Sequence, residues 1–181
     1  MNPYIVDIDD FSEGNSNEAL FLLSQIKKRL PGFKATLFTV VGFCSYSFVV
    51  RMRELWPWLD MAPHGMFHDP DTECLNWTRE DCARCLDLSE AMGLTKGFRA
   101  PGWRLSPAGY LELKRRGYWV ADKPENAAIR PEGMRCYWLD APNKLHFHVQ
   151  NNKFLNGLEE SMEQILALDR TRDFAFIRDL F

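Results

Sequence analysis

The sequence predicts an α/β fold in which parallel strands joined by helices close into a barrel, or into a distorted, partly open one. Three observations predict it. Short apolar runs and amphipathic helical patterns alternate along the chain, giving seven strand candidates. The 181 residues suit one domain spanning 1–181, but are short for a complete eight-unit barrel of about 250. The residue types able to do chemistry gather at the ends of the strand candidates, where such barrels build their sites.

Tyr4 to Ile8 opens the first strand. Asn15-Ser16 can cap a helix from about Glu18 to Arg29, with Leu20, Leu23, Ile26 and Leu30 on one face and Pro31-Gly32 ending it. Ala35 to Val40 is the next strand, and a helix from about Tyr46 to Leu55 stops before Pro57. Trp58 to Ala62 is the third strand. Thr78 then caps a helix with acids in its first turn, closed by Gly93. Lys96 to Arg99 is a brief strand. Ser106-Pro107 starts a helix that ends before Gly117. Tyr118 to Ala121 is a strand. The excursion over 123–144, rich in Pro, Asn and charge, has room for a strand at Cys136 to Leu139. Leu145 to Val149 is a strand, a helix runs from about Leu158 to Leu168, and Phe174 to Ile177 is the last strand.

Net charge is −3 with no basic block, which argues against a nucleic-acid partner. No apolar run approaches the roughly 20 residues of a membrane helix, so no membrane partner is expected. Met1 to Asp10 shows no positive n-region, which leads us to expect a cytoplasmic protein. The five cysteines are an odd number and are read as free thiols. Cys82-Ala-Arg-Cys85 lies within a helical pattern and has no second CxxC, so buried thiols are the expected reading over a metal or redox pair.

The sharpest local signal is His64-Gly-Met-Phe-His68. Four-residue spacing on a helical turn would put both imidazoles on one side, where they could hold zinc or a similar ion. The chain has four histidines, and the other two also form a tight pair, His146-Phe-His148. The second signal is Asp7-Ile-Asp9-Asp10 at a strand end. Adjacent carboxylates beside apolar residues repel one another and need a cation or a protein partner. Carboxylates beside histidines suit a one-metal hydrolytic site with one carboxylate free as base.

In order along the chain, Asp9-Asp10, His64-xxx-His68, Arg99-Ala-Pro-Gly-Trp103 and the late His148 resemble the motifs of the polysaccharide deacetylase family, also called the NodB-homology or family-four carbohydrate esterase domain. The resemblance covers about residues 4 to 178. It implies a distorted seven-stranded (β/α) barrel, TIM-barrel-like, and a metal-dependent deacetylase acting on the N-acetyl group of an amino sugar or glycan. It implies one divalent ion, zinc first, with cobalt, nickel and manganese as alternatives, held by Asp10, His64 and His68. It implies Asp9 as catalytic base, Arg99 as the group holding that base, and His148 as catalytic acid. Asp122 would hold the His148 ring.

Departures from the family pattern are Ile-Asp-Asp-Phe without a following Gly, and Gly65 where Ser or Thr is common. The Asp/Trp motif could be Trp119 with Asp122 or Trp138 with Asp140. His146 and His148 share a strand face, so either could be the acid. A backbone N–H near Gly102 and Trp103 would stabilise the oxyanion. Trp103, Trp119 and Trp138 are candidates to stack on a sugar ring, with core packing as the other reading. Competing functions are a metal-dependent amidohydrolase on a small non-sugar amide, and an inactive glycan-binding relative. Oligomeric state is not legible.

Overall fold

A computed structural model describes residues 2–138, 143–149 and 157–181. Its strands are β1 (Tyr4–Phe11), β2 (Ala35–Thr39), β3 (Leu59–Pro63), β4 (Gly97–Phe98), β5 (Trp119–Asp122), β6 (Cys136–Trp138), β7 (Lys144–His148) and β8 (Phe174–Ala175). Its α-helices are α1 (Ser16–Arg29), α2 (Tyr46–Leu55), α3 (Arg79–Met92), α4 (Pro107–Arg115) and α5 (Leu158–Leu166). Of the predicted Cys136–Leu139 strand, Leu139 lies outside the described residues, as does Asp140 of the alternative Asp/Trp motif.

The helices begin where the local chemistry says they should. Ser45, Thr78 and Ser106 each accept a backbone N–H from the first turn of α2, α3 and α4. Gly93 takes the left-handed conformation that ends α3. Cys82 and Cys85 are buried on α3, and all five cysteines are free.

Among the described residues every strand pairing is parallel, as alternation with helices requires. One sheet runs β3-β2-β1-β7, with β8 also on β1, and a second runs β4-β5-β6. Tyr4 donates to the Asp173 carbonyl and Ile5 to the Asn143 carbonyl, so β8 and β7 flank opposite edges of β1. Between the sheets, Thr95 N–H donates to Met61 O and Arg99 N–H to Pro63 O, which carries the curl from β3 to β4. The result is a curled parallel half-barrel. This agrees with the partly open form of the expected barrel, but the described residues do not form a closed seven-stranded one. They make eight strands in two sheets, and no ladder among them joins β6 to β7. β4 and β8 have two residues each, too few to extend a continuous ladder.

β1, β2 and β3 are buried almost throughout, and the hydrophobic core lies between them and the helices. Leu20, Leu23 and Ile26 are the buried face of α1, as their spacing predicts. The described residues contain no helix long and apolar enough to cross a membrane.

Candidate metal centre

The C-terminal ends of β1, β3, β4 and β7 converge on one rim. A regular strand would send Asp9 and Asp10 to opposite faces. The β1–β2 register slips between Ile8 and Phe11, and Asp10 takes φ +67° there. This irregularity turns both carboxylates into the same pocket. Asp tolerates the left-handed region better than most residues, and the Asp10 carbonyl is tied by Asn15 Nδ2 at 2.7 Å.

His64 and His68 also converge, but no helix brings them together. The chain leaves β3 irregularly, with Gly65 at φ +71° and His68 at φ +61°. A Cβ at Gly65 would lie 2.9 Å from Pro101 Cγ and 3.0 Å from Glu73 Oε1, besides needing that backbone conformation. Glycine in place of the family's Ser or Thr therefore follows from how this turn is built. Glu73 holds the turn by accepting the N–H groups of Met66, Phe67 (3.2 Å) and Asp69 (3.1 Å). The sequence reading missed Glu73, since its partners are backbone groups that leave no side-chain pattern.

Asp10 Oδ1 lies 2.6 Å from His68 Nε2 and 3.3 Å from His64 Nε2. It is nonetheless a buried oxygen that makes no hydrogen bond. Three ligand atoms this close, without the alignment of hydrogen bonds, are what lone pairs aimed at a common centre produce. His64 Nδ1 is 2.9 Å from the Arg99 carbonyl. A carbonyl only accepts, so Nδ1 carries the hydrogen and Nε2 is left with a free lone pair, the state a metal needs. Burial would raise the Asp10 pKa, but the imidazoles of His148, His64 and His68 outweigh it and hold the carboxyl far below the usual carboxylate range. Asp10, His64 and His68 thus fit one divalent ion.

Arg99 is fully buried between the Phe38 and Trp103 rings, its guanidinium carbon 4.0 and 4.5 Å from their centroids. Its Nη1 donates to Asp7 Oδ1 and to Asp9 Oδ1 (2.6 Å), so Arg99 does hold Asp9. Asp7 was not among the predicted site residues, although it shares a strand face with Asp9. Burial would raise its pKa too, yet Arg99 and His146 hold it below the usual range. Tyr137 donates to its second oxygen at 3.2 Å. Asp7 and Asp9 share one guanidinium, and among the described residues Asp10 has only imidazoles beside it, so three buried carboxylates meet one fixed cation, and a single divalent ion matches that deficit.

His146 and His148 both reach the site. His146 Nδ1 lies 2.7 Å from Asp7 Oδ1, and His148 Nδ1 lies 3.0 Å from Asp10 Oδ2. An ionised carboxylate only accepts, so both Nδ1 atoms donate. The 3.1 Å approach of Arg99 Nη1 to His146 Nδ1 is then contact between two donors.

The remaining expectations divide. Trp103 lies at the site, edge-on to His146 at 5.6 Å. Gly102 lies beside it at φ +59°. The Trp103 N–H already donates to the Ala100 carbonyl, so it is not free to stabilise an oxyanion. Trp119 is not a sugar platform: it is buried against Phe38 and over Gly97, where a Cβ would lie 2.0 Å from its ring. Trp138 stacks on Arg130. Asp122 does not hold His148. It is buried and accepts from Tyr110 (2.6 Å), Asn126 (2.6 Å) and the Lys123 N–H (2.8 Å), which satisfies it away from the histidines. The exposed rings of Phe43 and Phe67, 6.4 Å apart beside His68, were missed because one exposed Phe per loop carries no periodic signal.

No family model matches the sequence. No curated protein matches it either. Solved structures do match. A family 4 acetyl xylan esterase from Clostridium thermocellum, in complex with cobalt, has a TM-score of 0.65 at 16% identity, covering 98% of this chain and 89% of that one. The peptidoglycan deacetylase PdaC from Bacillus subtilis has a TM-score of 0.61 at 15% identity, covering 98% and 89%. A family 4 carbohydrate esterase from Streptomyces lividans, in complex with acetate, has 0.57 at 18%, covering 92% and 88%. The motif resemblance and the architecture thus point the same way, and the fold is that of the family 4 carbohydrate esterases and peptidoglycan deacetylases, the NodB-type polysaccharide deacetylases.

Proposed function

We propose that the chain acts as a single-domain, divalent-metal-dependent hydrolase that removes the acetyl group from an N-acetylated amino sugar or glycan. The observation that carries this reading is the convergence of Asp10, His64 and His68 with an orphaned carboxylate oxygen between them. Asp10, His64 and His68 would hold the ion. Imidazole and carboxylate suit zinc, with cobalt or nickel as alternatives. When bound, the ion supplies Lewis acidity for water and for the acyl carbonyl.

Asp9 would take the proton of the attacking water. Arg99 keeps one oxygen of Asp9 occupied at 2.6 Å, which fixes the other for that task. His148 would deliver a proton to the leaving nitrogen, since an amide anion leaves badly. Gly102 would supply a backbone donor to the carbonyl oxygen. Arg99 and Lys123 lie over the Trp103 ring, while Phe43 and Phe67 offer exposed rings on the rim, which sugar rings favour. These rings favour a glycan over a small non-sugar amide.

Elemental analysis tests the reading. Protein loaded with one equivalent of zinc retains one ion per chain, and His64→Ala loses it. Asp9→Asn keeps the ion and loses at least about a hundredfold in acetate release from N-acetylglucosamine oligomers. Full metal content in His64→Ala, or full turnover in Asp9→Asn, rules out these assignments. Turnover of small amides alone moves the substrate away from glycans.

A further inference from the structure

Beside the first ligand set lies a second one whose members the one-ion reading does not use as ligands. Asp9, His146 and His148 each offer a ligand atom, all within 4.8 Å of one another. The β1/β7 ladder places them: Asp7 pairs with His146 and Asp9 with His148. The period of two keeps all four on one face. Asp9 Oδ2 is 3.8 Å from His146 Nε2. Bonds of about 2.0–2.1 Å in a tetrahedral site separate ligand atoms by about 3.4 Å, so this pair is within a few tenths of an ångström of that spacing and side-chain rotation would draw in the rest of the set.

The ring states are also right. Asp7 accepts from Arg99 on one oxygen and from Tyr137 on the other, so it fixes the hydrogen of His146 on Nδ1 and leaves the Nε2 lone pair toward Asp9. Asp10 does the same for His148 Nδ1. A buried carboxylate orienting a ligand histidine is the usual outer support of a metal site.

We propose that Asp9, His146 and His148 form a second, weaker site for zinc, cobalt or nickel, and that filling it switches the hydrolase off. It is weaker because the first ion already cancels the charge deficit of the pocket. It is inhibitory because a bound ion takes the Asp9 oxygen that would accept a proton, and the His148 lone pair that would carry one. The inhibitory half rests on the hydrolase reading above; the site itself does not.

The test titrates metal-free full-length chain with zinc by calorimetry and counts retained ions by elemental analysis. Two steps are expected. His64→Ala loses the first, while His146→Leu keeps the first and weakens the second by at least about tenfold. His148→Gln, checked for folding by circular dichroism, serves as the second variant and should act likewise. Acetate release should rise to one equivalent of zinc and fall beyond it. Saturation of the wild-type chain at one ion in millimolar zinc overturns the site, as does an unaltered second step in both histidine variants. Two bound ions with undiminished turnover overturn the inhibition. Two zinc steps without acetate release at any loading keep the site and sink the hydrolase reading instead.

Discussion

Arg99→Met should be among the most destabilising single substitutions in this chain. Arg99 is fully buried, and Met replaces its aliphatic stem but not its guanidinium, so the main loss is the charge and the stack that group makes. Nη1 serves both Asp7 and Asp9, which the variant leaves buried without their cation. Breaking a buried pair costs about 3–5 kcal/mol. Losing the stack between Phe38 and Trp103 adds about 1–2 kcal/mol. Proton uptake by the stranded carboxylates returns part of this, so we expect about 4 kcal/mol at pH 7. With an m-value near 2 kcal/mol/M, the urea midpoint falls by about 2 M.

The assay is urea unfolding followed by circular dichroism in chelator, which removes any contribution from bound metal. Asp7 supplies a second check. Its folded pKa lies below the unfolded value, so its stabilisation is present at neutral pH and fades as pH falls below about 5. Arg99→Met removes much of that depression, so the gap between wild type and variant should narrow from pH 7 to pH 4. A loss under about 1 kcal/mol at pH 7, or a gap unchanged by pH, would refute the ion-pair reasoning.

Two further outcomes follow from the packing. Gly97→Ala pushes a Cβ into the Trp119 ring and should cost about 1–3 kcal/mol, seen as a lower melting temperature, with Trp119→Leu recovering part of it in the double variant. Burial pushes the Cys44 and Cys136 thiols up to about 11 and Cys82 to about 12, with Cys74 and Cys85 raised further. The native chain should therefore react slowly with an aromatic disulfide at pH 8 and release five thiols in denaturant, and rapid native labelling of Cys82 or Cys85 would contradict their burial.

What the sequence disclosed was mainly local. Thr78 and Gly93 bound α3, Ser106 and Pro107 start α4, and α2 spans Tyr46–Leu55, because caps and helix formers act within a few residues. The ordered motifs placed Asp9, Asp10, His64, His68, Arg99 and His148 on one rim. The misreadings involve partners distant in sequence. Of the two readings left open for Trp119, packing under Gly97, Phe38 and Phe181 is the one that long-range contacts impose. Asp122 was assigned to His148 but is satisfied by Tyr110 and Asn126. The Asp7–His146 contact spans 139 positions and exists only through the β1/β7 register. The histidine spacing suggested a helix, whereas a glycine turn clamped by Glu73 does the work.

The kink at Asp10 has a consequence for how the protein acquires its metal. Its left-handed backbone costs of order 1 kcal/mol, and the β1–β2 pairing and the Asn15 side chain hold it there. Aiming this carboxylate at the cation is thus shared by residues that never touch the cation, and a change at Asn15 would alter metal affinity without altering a ligand atom.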